Sequence, residues 1–175
     1  MSFSFGFFRF LTYGNLFVVG FFVLMALMAL LIVPNMSAMI ATMFTIGIVF
    51  FHNILCLHLQ KAVKDPEVVI SSNFYTFIII LSVLSILYSI YIFFSVSAMM
   101  AVSEADFIKM VDANSMQGGE KPPPGMIASI RKVVFGLIAI HGLAIAGNAV
   151  LSFIFLKKWK KAHEEREEEE TTLDI

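Results

Sequence analysis

The chain has 175 residues, enough for one domain. It is 59% hydrophobic and 14% charged, against about 45–50% and about 25% for a soluble chain, which excludes an ordinary water-soluble globule. A net charge of −1 hides blocks of opposite sign, and a single cysteine, Cys56, excludes an intramolecular disulfide framework.

A transmembrane helix needs about 20 apolar residues to cross a hydrocarbon core of about 30 Å. Four uncharged runs meet that length: Asn15–Val33, Met36–Leu59, Phe74–Ala101 and Val133–Leu156. The fold class they predict is all-α: an integral membrane four-helix bundle with antiparallel neighbours. Three regions follow, namely an interfacial aromatic N-terminus (1–12), the four-transmembrane-helix domain (13–156) and a charged cytoplasmic tail (157–175). The first run is expected not to be a cleavable signal peptide, because its apolar part exceeds the usual length and no small-x-small site follows. No internal repeat is visible, so the inverted-repeat signature of many transporters is missing.

Residues 1–12 carry Phe3, Phe5, Phe7, Phe8 and Phe10 around one cation, Arg9. Such a segment suits the membrane interface, or it simply extends the first helix. The first helix has few polar side chains after Asn15 and is expected to be the most lipid-exposed. Pro34-Asn35 reads as a turn that forces a hairpin. Asn35-Met36-Ser37 fits a glycosylation sequon, but it crowds two helix ends and is expected to stay unmodified.

The second helix is the organising one. Thr42, Thr45, His52 and Cys56 recur at three- and four-residue steps and make one polar stripe. Polar groups at membrane depth normally turn toward other helices or a water-filled cavity. Asp65-Pro66-Glu67 reads as the start of the third helix, with a break at Ser71-Ser72-Asn73 as the alternative. Tyr75 lies in an aromatic belt, and Ser82, Ser85 and Ser89 repeat the polar stripe.

Between Val102 and Lys132, Ser103-Glu104-Ala105-Asp106 resembles a capping box and predicts a short surface helix in this third loop. Gly118-Gly119 and Pro122-Pro123-Pro124-Gly125 then break structure. On the fourth helix Ala139, Gly142, Ala146 and Ala149 form a small-residue packing face. His141, Asn148 and Ser152 lie on a neighbouring face and are expected to point at the other stripes. Lys157, Lys158 and Trp159 anchor the helix end at the interface. The acidic run from Glu164 to Glu170 is a solvated end, with a docking tail ending in Leu173-Asp174-Ile175 as the lesser reading.

Four crossings place both termini and the second loop on one side, with eight Lys and Arg residues against four on the other. The positive-inside rule puts both termini in the cytoplasm, in a plasma or inner membrane, although Arg131 and Lys132 pull the other way.

The four apolar runs contain no Asp, Glu, Lys or Arg. Proton relays and hydrolytic sites usually need such groups, so the chain is expected not to be an enzyme. His52 and His141 invite a bis-histidine haem, but they count about 24 Å and about 12 Å from the outer ends of their helices, a poor match for one iron. Met39 and Met43 offer thioethers to copper, at a spacing that resembles the methionine pairs of copper-permeating helices. The close-packed glycine pair that accompanies those is missing. No resident metal or cofactor is therefore expected, haem and copper being the lesser readings. The leading function is an accessory or structural subunit of a membrane complex, acting through association. The alternatives are an oligomeric channel or transporter with a narrow uncharged polar path, and a haem or copper carrier. Expected partners are the lipid bilayer, further copies of the chain and other membrane proteins, with no nucleic acid.

Overall fold

The computed structural model describes residues 3–32, 36–65, 67–68, 70–114 and 125–173, without the side chains of 29–39, 41–43, 72, 111–114, 167 and 169–173. All regular structure among the described residues is helical: α1 (Phe3–Ile32), α2 (Met36–Lys64), α3 (Ser72–Ala101), α4 (Glu104–Asn114) and α5 (Met126–Leu173). Among the described residues four segments are long and apolar enough to cross a membrane, by length and composition: Phe3–Met28, Phe44–Lys64, Asn73–Ala101 and Met126–Arg166. The Pro34-Asn35 turn, the sequon, the glycine pair, the triple proline and the final Asp174-Ile175 lie outside the described residues.

The helix ends explain why the expected boundaries shift. α2 stops with Lys61 and Lys64 in its last turn, where cations complement the helix dipole. Asp65 does not start α3. Its Oδ1 accepts the Glu67 N–H at 3.1 Å and its carbonyl accepts the Val68 N–H at 3.2 Å, which makes a turn. Ser71 caps α3 instead: its Oγ accepts the Phe74 N–H at 3.3 Å and its carbonyl the Tyr75 N–H at 3.1 Å.

α4 begins with a reciprocal cap. Ser103 Oγ accepts the Asp106 N–H at 3.2 Å and donates to Asp106 Oδ2 at 2.7 Å. The Ser103 hydroxyl, and then the Lys109 ammonium at 3.1 Å, hold the Asp106 carboxyl below its usual pKa.

α5 differs most from expectation. It starts at Met126 rather than Val133 and takes in most of the tail, for 48 residues. Gly125, at φ +81°, supplies the left-handed residue before the first turn, and its carbonyl accepts the Ser129 N–H at 3.1 Å. Lys160–Glu164 and Lys161–Glu165 pairs, each at 3.5 Å, support the far end. Such exposed pairs are worth about 0.2–0.5 kcal/mol each.

The chain forms two compact units, residues 1–88 with 144–175, and residues 89–143. In the first, Phe5, Phe8, Leu59, Ile78, Phe155 and Leu156 lie in one apolar cluster, against which Tyr75 and Trp159 pack. Phe155 takes Phe5 edge-on at 5.3 Å and stacks with Phe8 at 5.2 Å. Residues 3–12 are therefore the opening turns of α1. Phe5, Phe8, Leu11 and Thr12 face inward at helical spacing, while Phe3, Phe7 and Phe10 face out.

In the second unit, the Arg131 guanidinium donates to the carbonyls of Met99 and Val102 and lies 4.8 Å over the Phe107 ring. It closes the end of α3 with positive charge, where the helix dipole is negative. Phe107 also meets Phe135 edge-on at 6.2 Å, so α4 is held to α5. Ser89 Oγ donates to the Gly142 carbonyl at 2.7 Å. A Cβ on Gly142 would stand 3.1 Å from Ile92 Cγ2, so α3 and α5 approach at a glycine.

Candidate functional site

The exterior is unlike that of a water-soluble protein. Phe17, Phe44, Phe94, Leu143 and Ile140 are exposed, as are many other large apolar side chains. Soluble monomers rarely expose contiguous apolar surface on this scale. Meanwhile Thr12, Asn15, His52, Asn53, Gln60, Ser82, Ser85, Asn148 and Ser152 are buried.

In the first unit they form one hydrogen-bonded network, drawn from four helices. Asn148 of α5 is its hub. Its Oδ1 accepts from Thr12 Oγ1 of α1 at 2.9 Å, and its Nδ2 donates to Asn53 Oδ1 of α2 at 2.8 Å and to Cys56 Sγ at 3.7 Å. Gln60 Nε2 donates to Thr12 Oγ1 at 2.8 Å, tying α2 to α1. One turn along α1, Asn15 Nδ2 donates to the Ala144 carbonyl at 3.3 Å.

His52 extends the network to α3. Its Nε2 lies 3.0 Å from Ser82 Oγ, 3.4 Å from Ser152 Oγ and 3.5 Å from Cys56 Sγ. Ser82 donates its hydroxyl hydrogen to the Ile78 carbonyl at 2.6 Å, and Ser152 donates to Ala149 at 2.7 Å. The two oxygens are 2.8 Å apart, so whichever donates to the other shares its hydrogen with the backbone. His52 Nε2 therefore meets two serine hydroxyls whose hydrogens are also within reach of backbone carbonyls. Among the described residues, no three His, Cys, Asp or Glu side chains gather as a metal site.

The structure places the residues singled out from sequence as follows. His52, Cys56, Ser82, Ser85, Asn148 and Ser152 are buried in the first unit, and Ser89 in the second. Thr45 is half-buried on α2. Thr42, Met39 and Met43 lie on α2 with side chains outside the described residues. Of the small-residue face, Gly142 and Ala149 are buried, and Ala139 and Ala146 are half-buried. The two units divide this face between Ala139 and Gly142 on one side and Ala146 and Ala149 on the other. Tyr75 and Trp159 are half-buried, and Lys157 and Lys158 are exposed. Trp159 stacks on His163 at 4.9 Å.

His141 is half-buried in the second unit, whereas the network of His52 belongs to the first. Because α5 begins at Met126, His141 stands about 22 Å along its helix rather than about 12 Å. His52 Nε2 is engaged by Ser82 and Ser152 within the first unit.

Four network residues escape the sequence reading: Thr12, Asn15, Asn53 and Gln60. Their signal was present. Val49, Asn53, Cys56 and Gln60 follow steps of four, three and four on α2, and Phe8, Thr12, Asn15 and Val19 do so on α1.

Fold and site together define an all-helical protein with four candidate membrane-crossing helices and a buried, uncharged polar network. Compared with known proteins, the chain matches no family model, no curated protein and no solved structure.

Proposed function

We propose that the chain is a non-enzymatic multi-pass membrane protein that works by association, as an accessory or structural subunit of a larger membrane complex. Its four long helices pack as one bundle with antiparallel neighbours. Both termini face the cytoplasm, in a plasma or inner membrane, and no resident metal or cofactor is required. Its partners are lipid, further copies of itself or other membrane proteins.

The observation that carries this reading is the polar network. Thr12, His52, Asn53, Gln60, Ser82 and Asn148 spend hydrogen bonds on one another across α1, α2, α3 and α5. In lipid, where hydrocarbon tails are as apolar as leucine, such bonds help set helix register. A rigid scaffold with an apolar exterior is suited to holding other membrane proteins in place. The charged end of α5 adds a further surface beyond the apolar band.

The test is native mass spectrometry after gentle release from the protein's own membrane. The expected result is a species heavier than the 19.6 kDa chain and its multiples, with the added mass being protein. A monomer, together with membrane complexes unchanged by deleting the protein, would overturn the proposal.

One observation favours a second reading, an oligomeric channel with a narrow polar path. Asn15 Oδ1, His52 Nδ1 and Ser85 Oγ are buried without a hydrogen-bond partner, and polar groups lining a path bond to what passes. Under that reading Ser85→Leu abolishes flux in liposomes while the fold survives. Under the association reading the wild-type liposomes show no flux to lose.

A further inference from the structure

The apolar cluster of the first unit joins the start of α1, the end of α2, the start of α3 and residues 155–159 of α5 at one end. Lys61 and Lys64 follow Leu59 on α2, and Lys157 and Lys158 follow Leu156 on α5. All four ammonium-bearing side chains are exposed, and each lies within one residue of a member of the cluster or of a side chain packed against it: Ala62 and Val63 on α2, Leu156 and Trp159 on α5. Lysine stems lie along apolar surface while their heads reach outward, and Lys158 Nζ sits 5.2 Å from the Phe155 ring centroid.

The lysines at this end fall into two groups. Lys160 and Lys161 are matched one turn on by Glu164 and Glu165, each at 3.5 Å. Lys61, Lys64, Lys157 and Lys158 have no carboxylate among the described residues within ion-pair distance. The nearby acids are Asp65 and Glu67, and Asp65 Oδ1 is engaged by the Glu67 N–H. Arg9 adds a fifth cation near the start of α1, 6.0 Å over Tyr13.

We propose that Lys61, Lys64, Lys157 and Lys158 form a binding surface for the headgroups of anionic phospholipids, with the lipid phosphates as their counter-ions. The inference rests on the membrane-spanning reading. Charge complementarity selects the occupant: exposed, unpaired ammonium groups edge an apolar band beside tryptophan, at the level where helices leave hydrocarbon. Lys160 and Lys161, already paired along the helix, contribute little.

The test uses the full chain in phosphatidylcholine nanodiscs doped with phosphatidylglycerol, with retained lipid read by native mass spectrometry. Wild type should retain phosphatidylglycerol over phosphatidylcholine. Each lysine near an anionic surface is worth about fivefold in binding. Lys157→Gln with Lys158→Gln, or Lys61→Gln with Lys64→Gln, should therefore lower that retention by roughly five- to twentyfold. Lys160→Gln with Lys161→Gln should change it less than about twofold, and the arginine versions of the four lysines should restore it. Equal retention of both lipids, equal loss from all three lysine pairs, or displacement of the lipid by inorganic phosphate at constant ionic strength would overturn the proposal. Alkaline extraction run in parallel separates the two levels: a chain stripped from these nanodiscs would overturn the membrane reading itself, and this proposal with it.

Discussion

Replacing Asn148 with alanine removes three interactions at once, with Thr12 at 2.9 Å, Asn53 at 2.8 Å and Cys56 at 3.7 Å. Polar contacts between membrane helices average about 0.6 kcal/mol. Three of them give about 2 kcal/mol. A buried polar group left unpaired in a water-soluble protein costs about 1–3 kcal/mol. In a bilayer the unfolded helices also find partners, so the membrane-derived sum of about 2 kcal/mol is the expected loss. The assay is reversible unfolding in bicelles, by steric trapping or graded detergent, for Asn148→Ala, Asn53→Ala and the double variant. The cycle should return a coupling of about 0.6 kcal/mol between the two asparagines. Asn53 also donates to the Val49 carbonyl at 2.6 Å, so its single variant should lose more than that coupling. No measurable effect of Asn148→Ala, or zero coupling in the cycle, would refute the idea that this network holds the helices in register.

Further outcomes follow from particular contacts. Gly136→Ala and Gly142→Ala make a matched pair on α5. A Cβ at Gly136 meets nothing within 4 Å, and one at Gly142 comes within 3.1 Å of Ile92. The first should gain up to about 1 kcal/mol of helix propensity, while overpacking of about 1–3 kcal/mol should offset or reverse that gain at the second. Phe8→Ala should cost at least about 2.4 kcal/mol, the cavity term for roughly 100 Å³ of side chain at about 24 cal/mol per Å³, with any transfer term added to it. Phe3→Ala, at a position 91% exposed, should cost almost nothing in the same bicelle assay. The Asp106 carboxyl is held below its usual value by Ser103 and Lys109. Its contribution to α4 is therefore present above the unfolded carboxylate pKa and lost as pH falls through the lower, folded value. Amide exchange of α4 followed down the acid range should show fraying there, and Ser103→Ala should move the onset to higher pH.

Much of the architecture was legible locally. The four apolar runs follow from composition counted along the chain, because a span of hydrocarbon sets a minimum length that needs no knowledge of neighbours. The short α4 was legible for a similar reason, since the Ser103–Asp106 cap satisfies N–H groups within one turn. The ends of α3 and α5 were harder to read. Asp65-Pro66-Glu67 has the residues of a helix start, yet Asp65 turns its carboxylate to Glu67 and the cap passes to Ser71. Before α5, the glycine that follows three prolines begins the helix at once, where the run of breakers suggested a longer loop.

What the sequence determined by itself is the helical class, the number of long apolar helices and the three-four period that sorts side chains onto faces. The tertiary structure alone decided which faces meet. Thr12 bonds to Asn148 across 136 residues and to Gln60 across 48, and Arg131, counted from sequence as a loop cation, is buried against the end of α3. The physical reason is that burial in lipid gives apolar surface no preferred partner. Hydropathy therefore marks a helix as membrane-crossing but is silent on its neighbours. Scarce hydrogen-bonding groups make that choice, and each finds its partner only when distant helices are brought side by side.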